Sequence, residues 1–129
     1  MSQVIRFRSK ELDLSAEPAN PINPIPGAVL LQWLQVQPEF AQLSEPSPED
    51  WGWYSHVEHA GRSYMVGACI YPEASGEHEC LIQFEKHRSM LERLSGRAKL
   101  ETHDPVVALV LSAVQRLAIP GSVAVEHGP

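Results

Sequence analysis

The chain has 129 residues, 43% of them apolar and 20% charged, with a formal net charge of −6. That length fits one domain, 1–129, able to bury a core without disulfide or metal staples. The acidic balance argues against whole-molecule attraction to nucleic acid or to an anionic membrane.

The opening "MSQVIRFRSKE" lacks the apolar stretch of a signal peptide. The longest apolar run, "PVVALVLSAV", falls short of the ~20 residues of a membrane span. The expected setting is cytoplasmic, where Cys69 and Cys80 stay reduced.

In chain order, residues 3–14 alternate and predict a strand, interrupted near Lys10. Prolines at 18, 21, 24 and 26 make 15–25 an extended linker within the domain. Pro26 suits a helix start, and "GAVLLQWLQVQ" predicts a largely buried helix ending before Pro38. "PEFAQLSEPSPED" reads as loop. "DWGWYSHVEHAGRSYMVGA" then reads as a hairpin turning at Ala60-Gly61. In that register Trp51 faces Ile70, Trp53 faces Ala68, Ser55 faces Val66 and Val57 faces Tyr64. Those pairs form the core side, and Tyr54, His56, Glu58, Met65 and Cys69 the other.

"CLIQFEK" predicts a further strand with Cys80, Ile82 and Phe84 on one face. Ser89 and Glu92 have the spacing of a capping box, opening a short helix that Gly96 closes. Asp104-Pro105 predicts an N-cap and first turn for the apolar helix "PVVALVLSAVQRLA", the expected main cover of the sheet. Residues 120–129 read as a weakly ordered tail. The order β-α-β-β-β-α-α predicts an α+β fold. Its expected form is a two-layer sandwich: an antiparallel sheet of about four strands covered on one face by two or three helices.

Chemistry is harder to find. His56 and His59 are an odd number apart on a strand, so they diverge and make a poor zinc pair. No nucleophile elbow, phosphate-binding loop or dinucleotide fingerprint occurs. Neither a metal nor a cofactor is expected, and no catalytic residue is assigned. The candidates are binding residues. Tyr54, His56, Met65 and Tyr71 cluster on the sheet side away from the helices, an arrangement like an interaction hot spot. The window 86–99 carries five basic residues against Glu92 alone, while the rest of the chain has five basic and fifteen acidic residues. Lys86, Arg88 and Arg93 are therefore candidates for a second contact surface.

"NPINPIPG", "DWGWY", "GRSYMVGA" and "EKHRS" together resemble a group of small bacterial proteins of about this length with no established activity. That resemblance implies no reaction and no site residue. Small acidic α+β proteins with aromatic sheet faces are also similar, in architecture alone, to bacterial toxin-immunity proteins. The expected function is that of a non-catalytic bacterial binding protein, immunity-like or regulatory, with a protein partner. A homodimer is left open, and neither nucleic acid nor a membrane is expected as partner. The alternative is a small enzyme with His56, Glu58 and Cys69 lining a pocket on the uncovered face.

Overall fold

A computed structural model describes residues 3–40, 42–100 and 104–127. Its strands are β1 (Gln3–Ser9), β2 (Ser47–Glu49), β3 (Gly52–His59), β4 (Arg62–Tyr71), β5 (His78–Lys86) and β6 (Ala124–His127). Its helices are α1 (Ala28–Gln35), α2 (Met90–Ser95) and α3 (Pro105–Val114). The fold is α+β. Among the described residues, six strands form one antiparallel sheet in the order β2-β3-β4-β5-β1-β6.

The expectation of about four strands is corrected by two edge strands. β2 lies in the segment read as loop. It is three residues long and contains Pro48, which an edge tolerates because no outer neighbour needs its N–H. β6 lies in the segment read as a tail and pairs with β1. Residues 128 and 129 of that tail lie outside the described residues.

The hairpin register is as expected. Trp53 pairs with Ala68, Ser55 with Val66 and Val57 with Tyr64. Ala60 and Gly61 both have positive φ, 52° and 78°, as a primed two-residue turn requires. Period-2 alternation then sorts the sheet. Ile5, Phe7, Trp53, Val57, Val66, Ile70, Ile82 and Phe84 are buried together with the apolar sides of α1 and α3. Full burial of each such side chain contributes roughly 1.5–3 kcal/mol. α1, not the longer α3, packs closest on β3 and β4. α3 also ends earlier than expected, at Val114.

The proline-rich stretch is tied down. The Glu17 carboxylate accepts hydrogen bonds from the Gly27, Ala28 and Val29 amides at 3.1, 3.1 and 3.2 Å. These are donors that the start of α1 cannot satisfy within the helix. The Asn20 amide donates to the Glu49 and Gly52 carbonyls, both at 3.0 Å. The segment thus grips both α1 and the β2–β3 turn. Among the described residues, no helix is long and apolar enough to cross a membrane.

Candidate functional site

The other side of the sheet carries the candidate site. Tyr54 and His56 stand two apart on β3 with their rings edge to face, centroids 5.4 Å apart at 79°. Met65 lies opposite His56 and is half-buried. Tyr71, at the end of β4, is 48% exposed. These four candidates share one face, as their parity predicts.

Trp51 corrects the sequence reading. It was expected on the core side opposite Ile70. Glu49 instead pairs with Gly52, which puts Asp50 and Trp51 in the β2–β3 turn and ends the strand parity before Trp51. Gly52 makes the turn with φ 146°, a conformation that side chains rarely adopt. The indole therefore lies on the outer side, over Gly67. A Cβ at Gly67 would sit 2.5 Å from Trp51 Cη2, so the glycine is what lets the ring lie against the sheet.

Between Trp51 and Tyr71 is a hollow of about 140 Å³, bordered by Gly67, Cys69, Leu81 and Gln83. Cys69 Sγ donates to the Tyr71 hydroxyl at 3.7 Å. Burial pushes the Cys69 thiol up, away from the reactive thiolate. Cys80 is fully buried on the core side, where burial pushes its thiol up to about 12. Ile70, not Cys69, is its cross-strand partner. The two cysteines are therefore on opposite faces and both are free.

The residues of the enzyme alternative are not brought together. His56 lies opposite Met65, and Cys69 is four residues further along β4, roughly 13 Å away. Glu58 and His59 border a separate hollow of about 230 Å³ with Pro38, Phe40 and Leu109. His78 Nδ1 is occupied, accepting from the Glu73 amide at 3.0 Å. Among the described residues, no three His, Cys, Asp or Glu side chains come close enough to hold a metal ion.

The basic window divides in two. Lys86 has the parity of Phe84 and points to the core side. Its side chain is 14% exposed, and its Nζ is 3.3 Å from Asp104 Oδ2 and 5.6 Å from the centre of the Tyr64 ring. Lys86 is thus a structural cation and not part of the expected contact surface. Arg93 is exposed, while Arg88 is half-buried and donates to the Arg97 carbonyl at 3.2 Å.

The helix between Arg88 and Arg97, α2, has the expected cap. Ser89 and Glu92 satisfy each other's backbone amides, and Gly96 closes the end in a left-handed conformation. α2 buries no residue at all. Met90, Leu91 and Leu94 are 78, 72 and 81% exposed. Glu92 faces the body instead, where it makes a bidentate ion pair with Arg62 of β4. Periodicity marks which residues share a helix face but not which way that face turns. This outward apolar side was therefore missed from the sequence.

The Glu92 carboxyl is held down at about 2, from an ordinary 4.5, first by Arg62 and then by the Ser89 amide. A carboxyl lowered by folding stabilises above its ordinary value, and that stabilisation is lost as pH falls through the lowered one. α2 is therefore expected to stay docked above pH 4.5 and to loosen as pH falls toward 2. Amide exchange across Met90–Ser95, followed by NMR against pH, checks this. Protection unchanged down to pH 2 would show that the Arg62 tether does not hold the helix.

Compared with known proteins, the chain matches no family model, no curated protein and no solved structure. The site stands on its own residues.

Proposed function

We propose that the chain is a non-catalytic bacterial binding protein, immunity-like or regulatory, acting in the cytoplasm and engaging a protein partner through the outer sheet face. The two-layer arrangement belongs to this reading: helices on one side leave the other free for the partner. The observation that carries it is the seating of Trp51. An indole laid over Gly67, beside a hollow that ends at an exposed Tyr71, presents apolar area on the surface. Aromatic side chains on a rigid sheet give large contact area at little cost in side-chain freedom. Tyr54, His56 and Met65 extend the same surface along β3 and β4.

Tyr54→Ala is expected to leave thermal unfolding nearly unchanged and to weaken partner binding by at least ~2 kcal/mol, the hot-spot threshold. The measurement pairs the melting curve with affinity for a partner purified from the native host. Unfolding of the variant would show that the face is part of the core. Unchanged affinity would remove Tyr54 from the surface and count against the reading.

A further inference from the structure

α2 is an amphipathic helix mounted the wrong way round for a monomer. On a helix of 3.6 residues per turn, Met90, Leu91 and Leu94 fall within an arc of about 100°. A surface helix ordinarily turns such a stripe to the core. Here the capping box and the left-handed close at Gly96 fix the ends of the helix, and the Arg62–Glu92 pair turns Glu92 inward. The apolar stripe is displayed, and Arg93 on the same helix and Arg97 and Lys99 just after it in the chain are all exposed.

The complement of that surface is on the same molecule. The outer sheet face offers the hollow between Trp51 and Tyr71, about 140 Å³. Cavities on the order of 150 Å³ take one benzene-sized apolar group, so one aliphatic side chain is the matching occupant. In β5 the outward row runs Glu79, Leu81, Gln83, Glu85, so a carboxylate lies beyond each end of the hollow's β5 side. Across the face, Glu58, Glu79, Glu85 and Glu126 stand against Arg6 and Arg8. Arg6 is engaged by Glu79 and Glu126. A basic apolar knob and an acidic face with an apolar hollow are complementary in charge and shape.

We infer that α2 of one copy docks on the outer sheet face of a second copy, with Leu91 or Leu94 entering the hollow beside Trp51. A contact of α2 with α2 would set arginine against arginine, so the contact joins two different surfaces. Such a heterologous contact closes if it is reciprocal and otherwise propagates. It rests on reading the outer face as a binding surface, and it adds a regulation: self-association hides that face until a partner displaces α2.

The test is sedimentation equilibrium at low salt, over a concentration series into the millimolar range. The average mass is expected to rise from 14.3 kDa to at least twice that value, and to fall back in molar salt. Leu94→Asp on the knob and Tyr71→Arg beside the hollow should each keep the chain monomeric. Both positions are exposed, and circular dichroism checks that the variants fold. Mixing the two should restore a one-to-one complex, because each variant keeps the surface the other lacks. Three results would overturn the inference: a wild-type protein that stays monomeric, association that survives either substitution, or a mixture that stays monomeric after both variants have lost association. A strictly monomeric protein whose Tyr54→Ala variant still loses its partner overturns this inference alone and leaves the proposed function standing.

Discussion

Replacing Asp104 by alanine is expected to cost about 3–5 kcal/mol of stability, the range for breaking a buried ion pair by removing one partner. The Asp104 side chain is 1% exposed. Its Oδ2 accepts from Lys86 Nζ and from the Tyr64 hydroxyl, both at 3.3 Å, while Oδ1 accepts from the Val106 amide at 3.1 Å. The substitution strands a mostly buried ammonium, leaves a buried hydroxyl without its acceptor and uncaps α3. Urea denaturation measures the loss. The double variant Lys86→Met/Asp104→Asn should lose less than Asp104→Ala, because it leaves no unpaired charge and keeps a capping side chain. A loss under about 1 kcal/mol for Asp104→Ala would mean that water reaches the pair, as in exposed salt bridges.

Trp53→Ala is expected to cost a similar 3–5 kcal/mol or so, the range for truncating a large buried aromatic. Trp53 is 5% exposed, flanked across the sheet by Pro48 and Ala68, on the side where α1 packs. Its indole nitrogen is buried with no hydrogen-bond partner among the described residues. The loss should therefore come from packing alone, and Trp53→Phe should recover most of it. Chemical denaturation of the two variants separates the contributions. Equal losses for Phe and Ala would show that the indole nitrogen, and not the ring's bulk, holds the site.

The contrast between the two tryptophans shows what was legible. Ala60-Gly61 is a strong local signal, and with alternation it places every residue from Trp53 to Ala68 on its side of the sheet. Trp51 is only two residues before Trp53 and breaks the pattern, because parity holds only inside a strand. The tight pairing of Glu49 with Gly52, which ends it, depends on β2. β2 itself is hidden because a proline-bearing edge strand of three residues has neither the length nor the alternation of a typical strand. Lys86 shares its parity with Ile82 and Phe84, so its turn to the core side is visible in the strand pattern, but the buried Asp104 that balances it lies 18 residues on. The outer-face quartet of Tyr54, His56, Met65 and Tyr71 was legible from parity alone. The hollow was not, since it needs Trp51 folded back over Gly67.

The grip of the proline-rich segment bears on how the molecule opens. Glue-like contacts from Glu17 and Asn20 put the start of α1, the β2–β3 turn and the Trp51 seat under one set of hydrogen bonds. Segments linked this way open as one cooperative unit, with a shared free energy of opening. The extended linker is then held by the helix terminus that follows it directly and by a turn 29 to 32 residues further on. A partner that stabilises the Trp51 seat is therefore expected to slow proteolysis of that stretch, at the opposite end of the unit.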